Sequence, residues 1–195
     1  ACGETGPGRM TEPEALVAAA DDILASTASR AEVRDISLAP GLEEAILRGV
    51  PVVITAGPTR EPIDPVRYIS NHSSGKQGYA MAAEAMAMGA TVTLISGPVA
   101  EPVPSGAELV AVESARDMHE ASLAAMPGCD LFIAVAAVAD YRPETVAEQK
   151  IKKTAEGSPG LHLDLVENPD IVAAVAALPD GPVVVGFAAE THEPM

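Results

Sequence analysis

Residues 51–78 read PVVITAGPTREPIDPVRYISNHSSGKQG, and this stretch determines the predicted fold of the chain. Its first part, residues 52–55, is an apolar run typical of a strand that is buried on both faces. A long loop rich in proline is predicted to begin at Gly57-Pro58 and to end at residues 73–78, directly before an Ala/Met-rich helix. Long loops in compact domains are usually functional. A strand, a glycine-bearing loop and a helix N-terminus together predict an anion site, because glycine lets backbone N–H groups approach the ligand and the helix end supplies unpaired donors.

The same alternation of strand and helix continues towards the C-terminus. Strands are predicted at residues 91–96, 109–112, 130–135 and 182–186, with a possible edge or hairpin strand at 161–166, and helices at 77–88, 114–125 and 168–178. Alternating strands and helices imply a parallel sheet with right-handed crossovers. We therefore expect an α/β, Rossmann-like three-layer domain with a mostly parallel sheet. Ligands bind beyond the carboxyl ends of such strands, so Gly57, Gly97, Asp140 and Phe187, which follow strands, are expected to converge.

The first part of the chain has a different character. Residues 1–28 are predicted to form a glycine-punctuated loop and an amphipathic helix, opened by a capping box at Thr11 and Glu14. Residues 29–49 are interpreted as a linker, with a short helix at 42–48, and residues 50–195 carry the α/β pattern. The start at Ala1, within a loop and without Met, indicates a fragment of a longer chain.

Composition narrows the class of protein. The 195 residues are 48% hydrophobic, carry a net charge of −16, and contain no apolar run of membrane-spanning length, which predicts a soluble protein. The charge argues against a nucleic-acid surface. The cysteines, Cys2 and Cys129, are far apart and indicate no disulfide framework, and no secretory signal is evident, so we expect a cytoplasmic protein. Burial is the better interpretation for Cys129.

The few cations are concentrated in two motifs. The lysines are Lys76, Lys150, Lys152 and Lys153, and the arginines that flank the same motifs are Arg60, Arg67 and Arg142. This distribution favours binding of a small anion, accompanied by a divalent metal. The alternative is that these lysines are ordinary solubilising residues.

Neither standard nucleotide motif is present. No G-x-G-x-x-G follows the first strand, and Ser96-Gly97 stands where a Rossmann fold would carry a ribose-binding acid. The Ser-Ser-Gly-Lys run lacks the upstream glycine and the following Ser or Thr of a Walker A loop. The sequence thus favours a phosphate loop of another kind.

Individual residues leave alternatives open. Asp140 either holds a metal ion or a sugar hydroxyl, or it caps a turn. The lysines at 150–153 either neutralise a polyphosphate or lie on a solvated segment. Asn71 either donates to an oxyanion or satisfies loop backbone. His162 and His192 show no ligand spacing and are interpreted as surface residues.

Four motifs in order carry a family resemblance. These are residues 56–78, AVAAVADYRP (134–143) with EQKIKK (148–153), ENPDIV (167–172) and VVGFAAET (184–191). They closely resemble phosphopantothenate–cysteine ligase, also called phosphopantothenoylcysteine synthetase. ACGETGPGRMTEP (1–13) resembles the substrate-clamp segment of phosphopantothenoylcysteine decarboxylase, an enzyme commonly fused to the ligase in bacteria. The resemblance thus implies a decarboxylase remnant at 1–28, a linker at 29–49 and a CTP-dependent synthetase domain at 50–195 that ends before the family's lysine-bearing flap.

The resemblance also implies a reaction. CTP activates the carboxylate of 4′-phosphopantothenate as an acyl-cytidylate with release of pyrophosphate, and the amine of cysteine then attacks to give phosphopantothenoylcysteine and CMP. The family requires Mg²⁺ and works as a homodimer with its sites near the dimer interface. Without the flavin-binding body of the decarboxylase, this chain is not expected to bind FMN or to decarboxylate.

Site residues follow from the same resemblance. Asn71 matches the asparagine that converts the acyl-cytidylate, Lys150 matches a catalytic and CTP-binding lysine, and Cys2 matches the decarboxylase proton donor of the parent protein. The remaining matches to nucleotide- and substrate-binding positions are Gly57, Ser73, Ser74, Gly75, Lys76, Ala137, Asp140, Pro169, Asp170, Ile171, Val172 and Phe187.

Two other classes of function remain as alternatives. A nicotinamide-dependent reductase on the same sheet is disfavoured by the missing ribose acid, and a cofactor titration distinguishes it. A regulatory nucleotide-binding fragment would bind CTP and release no pyrophosphate.

Overall fold

Strands and helices alternate in the computed structural model over the residues that it describes, 46–153 and 160–189. In chain order the elements are β1 (Pro51–Ala56), β2 (Arg60–Asp64), β3 (Arg67–Ser70), α1 (Lys76–Ala87), β4 (Thr91–Ser96), β5 (Glu108–Ala111), α2 (Ala115–Ala124), β6 (Leu131–Ala134), β7 (Tyr141–Pro143), β8 (Leu165–Glu167), α3 (Ile171–Ala176) and β9 (Val183–Gly186). The predicted helices at 77–88, 114–125 and 168–178 and the predicted strands at 52–55, 91–96, 109–112, 130–135 and 182–186 are confirmed, with small differences at their ends.

The centre of the structure is a parallel five-stranded sheet in the order β5-β4-β1-β6-β9. Val52 of β1 lies between Val92 of β4 and Leu131 of β6. The chain therefore adds β4 and β5 on one side of β1, and β6 and β9 on the other. The α/β, Rossmann-like prediction is confirmed, and the reversal of strand order beside β1 is where such folds open a binding crevice.

The two faces of the sheet bury different helices because successive residues of a strand point to opposite sides. Val52 and Ile54 face α1, which contributes Tyr79 and Ala82 to that core. Val53 and Phe132 face the opposite layer, where Met118 of α2 and Val175 of α3 complete a second core. Among helices within the described ranges, none is long and apolar enough to span a membrane.

Side-chain caps define the starts of two helices. Ser114 Oγ accepts a hydrogen bond from the Asp117 N–H at 3.1 Å, and Asp117 Oδ2 accepts one from the Ser114 N–H at 2.9 Å. This capping box confirms the predicted start of α2. Asp170 Oδ1 accepts from the Ala173 N–H at 2.8 Å and caps α3 through this one side-chain bond.

The prediction of one long loop over residues 57–75 is wrong, because β2 and β3 form an antiparallel hairpin inside it. Two prolines and a lack of apolar alternation conceal these strands. The turn is closed by Asp64 Oδ1, which accepts hydrogen bonds from the N–H groups of Val66 and Arg67 at 2.9 and 3.0 Å.

The predicted strand at 161–166 is correct only in part. Residues 161–164 are not in a strand, and β8 instead begins at Leu165 and pairs antiparallel with β7, which the sequence did not reveal. The Arg142 side chain donates to the backbone oxygen of Glu167 and joins the two strands. Residues 46–49 form a turn in place of the predicted helix at 42–48, the rest of which lies outside the described residues. The same holds for the capping box at Thr11, for Cys2 and for the boundary at 28, so the domain division remains a prediction.

Candidate functional site

A cavity of about 720 Å³ opens at the carboxyl ends of β1, β6 and β9. Six of the predicted nucleotide-binding residues line it, namely Asp140, Pro169, Asp170, Ile171, Val172 and Phe187. The sequence places these residues in three separate motifs, and the parallel sheet brings them together. The predicted convergence at the strand ends is therefore confirmed for Asp140 and Phe187.

The floor of the cavity is the chain that leaves β6. Thr55 Oγ1 accepts hydrogen bonds from the N–H groups of Val135 and Ala136, both at 3.3 Å. Farther along, Thr59 Oγ1 accepts from the Ala139 N–H at 3.0 Å. Both threonines are buried, so their hydroxyls fix this segment from within the protein. Sequence reasoning missed Thr55 and Thr59, although a hydroxyl at the end of a central strand is a signal for such a role.

Gly57 and Ala137 meet at the edge of the same segment. The Ala137 N–H donates to the Gly57 carbonyl oxygen at 2.9 Å, and the Thr59 N–H donates to the Ala137 oxygen at 3.3 Å. Neither Gly57 nor Ala137 is among the residues that line the cavity, but Ala136 and Val138 on either side of Ala137 are. Both predicted positions thus adjoin the cavity through the backbone.

Asn71 is bonded to this segment through its side chain. Its Nδ2 donates to the Ala137 oxygen at 3.0 Å and to the Val138 oxygen at 3.1 Å. In this structure the Asn71 amide therefore satisfies loop backbone, and its donation to an oxyanion stays a prediction. Asn71 lies at the end of β3, so the hairpin delivers it to the cavity edge.

Asn168 connects the two sides of the cavity and was missed as a site residue. Its Nδ2 donates to the Ala139 oxygen at 2.8 Å, and its backbone N–H donates to the Asp140 oxygen at 2.8 Å. Its Oδ1 accepts from Arg142 Nη1 at 3.3 Å. The main chain of Asp140 is held by these bonds while its side chain stays exposed. The position of Asn168 between a strand and a capped helix start was the available signal in the sequence.

The predicted phosphate loop lies beside Gly57. Gly75 caps α1 with a left-handed φ of 79°, and a Cβ built on it would lie 2.7 Å from Val99 Cγ1 and 3.4 Å from the Gly57 Cα. Lys76 is the first residue of α1 and is exposed. Ser73 Oγ accepts from the Gly75 N–H at 3.3 Å and Ser74 Oγ from the Lys76 N–H at 3.5 Å. The loop therefore adjoins the cavity edge through Gly57 without lining the cavity.

Within the described residues, no hydrogen bond or ion pair connects the Lys150 side chain to the residues that line the cavity. Its neighbour Ile151 is instead bonded to the turn of the hairpin. The Ile151 N–H donates to Asp64 Oδ2 at 3.1 Å, and Arg67 Nη2 donates to the Ile151 oxygen at 2.8 Å. Lys150 itself is exposed.

The flanking arginines have partners within the protein, so the prediction that the concentrated cations bind a small anion does not extend to all of them. Arg67 is paired with Asp64, and Arg142 is bonded to Glu167 and Asn168. The Arg67 side chain, together with the backbone N–H groups of Val66 and Ile151, holds the pKa of the Asp64 carboxyl well below its usual range, against the opposing effect of burial. Arg60 lies over the Tyr68 ring, 4.7 Å from its centre. These arginines thus stabilise the site's supporting structure.

A metal ion held by protein ligands alone does not fit the described part of the chain, where no group of three or more His, Cys, Asp or Glu side chains is arranged to bind one. Mg²⁺ commonly uses one or two carboxylates together with substrate phosphates. The exposed carboxylate of Asp140 at the cavity fits that more limited role.

Comparison with known proteins identifies relatives across the whole chain. The profile of the family described as DNA/pantothenate metabolism flavoprotein C-terminal domain matches residues 47–195. The coenzyme A biosynthesis bifunctional protein CoaBC of Vibrio cholerae is 51% identical over 194 residues, which are 99% of this chain and 44% of that protein. The Bacillus subtilis protein of the same name is 45% identical over 99% of this chain and 43% of its own length. The chain therefore spans less than half the length of these relatives.

A solved structure has the same fold. The crystal structure of the C-terminal domain of coenzyme A biosynthesis bifunctional protein CoaBC is 44% identical, with a TM-score of 0.65 over 75% of this chain and 68% of that one. A DNA/pantothenate metabolism flavoprotein from Streptococcus pneumoniae, 22% identical with a TM-score of 0.55, shares the fold alone.

Proposed function

This chain belongs to the family of DNA/pantothenate metabolism flavoprotein C-terminal domains, and on that premise we propose that it is a CTP-dependent phosphopantothenate–cysteine ligase. It activates the carboxylate of 4′-phosphopantothenate as an acyl-cytidylate, and the amine of cysteine then displaces CMP. The observation that carries the proposal is that six positions from three motifs of the ligase family line one and the same cavity.

The chemistry explains why such a site needs little beyond positioning and charge. A carboxylate resists attack by an amine until its oxygen becomes a good leaving group, and transfer to a nucleotide supplies that group. The protein then holds the reactants in line and stabilises the charge that moves onto pyrophosphate. We assign the nucleoside to the cavity and the phosphates to the adjoining N-terminus of α1, where the loop of Ser73, Ser74 and Gly75 meets the positive end of the helix and Lys76 supplies an exposed ammonium.

Individual residues take roles consistent with their positions. Asp140 is assigned to the ribose hydroxyls or to the metal that accompanies the triphosphate, because its exposed carboxylate lies on the cavity. Phe187 and Ile171 supply apolar surface for the base. Asn71 serves the conversion of the acyl-cytidylate, and its bonds to Ala137 and Val138 support a role that includes holding the cavity edge. Mg²⁺, when bound with CTP, neutralises the triphosphate.

The wider assembly is also a proposal. We expect a homodimer, and we expect FMN and the proton donor Cys2 to act in the decarboxylase part of a bifunctional parent protein. The relatives' name, coenzyme A biosynthesis bifunctional protein, supports this interpretation.

The first test is calorimetric titration of CTP in the presence of Mg²⁺, with ATP as the competing nucleotide. We expect CTP to bind more tightly than ATP, and Asp140→Ala to weaken CTP binding about tenfold, as loss of one charged contact implies. Glu120→Gln, which removes an exposed carboxylate from α2, is the matched control and leaves the affinity unchanged. Equal affinity of the wild type and Asp140→Ala for CTP would contradict the assignment of the cavity.

The second test separates a ligase from a regulatory nucleotide-binding protein. A ligase releases pyrophosphate from CTP only when 4′-phosphopantothenate is present, and CMP only after cysteine is added. CTP binding without release of pyrophosphate would favour the regulatory alternative.

A nicotinamide-dependent reductase remains disfavoured. Ser96, which ends β4 where a ribose-binding acid would stand, is buried and its Oγ lies 3.1 Å from the Tyr79 hydroxyl. Titration with NADH is expected to give no heat of binding.

A further inference from the structure

Asp64 and Arg67, on either side of the β2–β3 turn, form hydrogen bonds with both polar backbone groups of Ile151. Asp64 Oδ2 accepts from the Ile151 N–H at 3.1 Å, and Arg67 Nη2 donates to the Ile151 oxygen at 2.8 Å. The two side chains also bond each other, with Arg67 Nε 2.9 Å from Asp64 Oδ2. We call this arrangement of Asp64, Arg67 and Ile151 the clasp. It joins parts of the chain that lie 84 residues apart.

The clasp does more than closure of the hairpin requires. Asp64 is 3% exposed, so its carboxylate must be fully hydrogen-bonded to avoid a large desolvation penalty. The N–H groups of Val66 and Arg67 already occupy Oδ1. The second oxygen is directed instead to a distant segment in which Ile151 is half-buried and both of its neighbours, Lys150 and Lys152, are exposed.

We propose that Asp64 and Arg67 are positioning residues that fix the main chain beside Lys150 and so hold its ammonium for the triphosphate, an inference that rests on the proposed function. A lysine side chain has many rotamers, and freedom of its backbone would spread the ammonium over a still larger volume. Fixing Ile151 at both its N–H and its oxygen removes that backbone freedom. Placement of a charge before the ligand arrives lowers the ordering cost of binding.

Proteolysis after lysine tests the clasp without any nucleotide. The N–H of the Lys150–Ile151 peptide bond is the group that donates a hydrogen bond to Asp64. A lysine-specific protease must therefore open the clasp to cleave there. The chain contains four lysines, Lys76, Lys150, Lys152 and Lys153, so the products are few and mass spectrometry identifies each cut.

In Asp64→Asn we expect cleavage after Lys150 to accelerate about tenfold, because loss of charge-assisted bonds raises the open population. Cleavage after Lys76 serves as the internal reference. Asp164→Asn, which removes a carboxylate from the exposed pair with His162, is the matched control and leaves both rates unchanged. An unchanged rate after Lys150 in Asp64→Asn overturns the clasp. Should Asp64→Asn fail to fold, the double variant Asp64→Asn/Arg67→Met takes its place. It removes both charges, so that no charged group is left without its partner.

A double-mutant cycle on CTP affinity tests positioning. If Asp64 acts through Lys150, Asp64→Asn weakens CTP binding in the wild-type background and has no further effect in Lys150→Ala. Equal weakening in both backgrounds overturns the positioning role and leaves the proposed function standing. Absence of CTP binding in the wild type overturns the proposed function and the positioning role together, and the protease rates then decide the clasp by themselves.

Discussion

The carboxylate of Glu61 accepts a hydrogen bond from the backbone N–H of Ala115, 2.9 Å away. Glu61 is 1% exposed and belongs to β2, whereas Ala115 is the first residue of α2. A buried negative charge thus lies at the positive end of a helix, where it satisfies a donor that has no partner within the helix. This bond anchors the β2–β3 hairpin to the layer of helices, and Asn71 follows directly after that hairpin.

Glu61→Ala is expected to destabilise the protein by about 1.5–3 kcal/mol, the usual contribution of a hydrogen bond to a charged group. Urea denaturation measures the loss. Glu61→Gln keeps an acceptor and is expected to lose less. The exposed Glu120→Gln is the control, and a Glu61→Ala variant as stable as that control would show that the bond contributes nothing.

Gly75→Ala tests the packing between the phosphate loop and the strand ends. Gly75 and Gly128 have nearly the same φ, 79° and 80°, but a Cβ at Gly75 meets Val99 Cγ1 at 2.7 Å whereas one at Gly128 has open space. Both alanines incur about 1–2 kcal/mol of backbone strain, and only Gly75→Ala adds about 1–3 kcal/mol of overpacking. Thermal denaturation should show this difference.

Val99→Ala supplies the internal check on that result. In the Val99→Ala background the extra cost of Gly75→Ala is expected to fall to that of Gly128→Ala. Persistence of the full difference would mean that Val99 is not the obstacle.

Asn168→Ala is expected to weaken CTP binding about threefold to tenfold, because it removes the bond from Nδ2 to the Ala139 oxygen that holds the cavity. Calorimetry provides the dissociation constant. Glu148→Gln, at an exposed position away from the lining, should bind as the wild type does. An unaltered affinity in Asn168→Ala would refute the supporting role of this side chain.

The lowered pKa of Asp64 predicts a pH dependence of stability. Because the folded-state pKa lies below the unfolded value of about 3.9, the ionised carboxylate stabilises the protein above that pH, and the contribution is lost as the pH falls towards the folded-state value. The difference in unfolding free energy between the wild type and Asp64→Asn should therefore be constant above about pH 5 and shrink below about pH 4.

Urea denaturation gives these differences in unfolding free energy directly. It is carried out between about pH 7 and about pH 3, a range that includes the pH at which Asp titrates. The Asp164→Asn variant controls for removal of a carboxylate, since an exposed pair contributes little to stability. A difference that stays constant throughout would contradict the linkage.

The sheet and its helices were predictable because their signals are local. Apolar runs such as residues 52–55 indicate buried strands, and Ser114 with Asp117 indicates a capped helix start without knowledge of the rest of the fold. The hairpin was not predictable in this way. Its strands are short, β2 contains Pro62, and the hairpin is stabilised by Glu61 and Asp64, whose partners Ala115 and Ile151 lie far away in the sequence.

The candidate site divides along the same line. Asp140, Asp170 and Phe187 were identified because they lie in recognisable motifs at strand or helix ends. Thr55 and Asn168 were missed because each acts on the backbone of another segment. Their positions, at a strand end and before a capped helix start, do not identify the distant carbonyl or N–H group that each side chain serves.

The central place of β1 in the sheet bears on how the chain folds. Within the described residues β1 is the first strand of the sheet, but its neighbours β4 and β6 begin only at Thr91 and Leu131. Pairing of such distant segments requires costly loop closure, so the protein should fold slowly for its size. On the ribosome, the apolar residues of β1 emerge long before either partner strand is made. The nascent chain therefore exposes an apolar strand that has no partner yet, and chaperone dependence is an expected property of this fold.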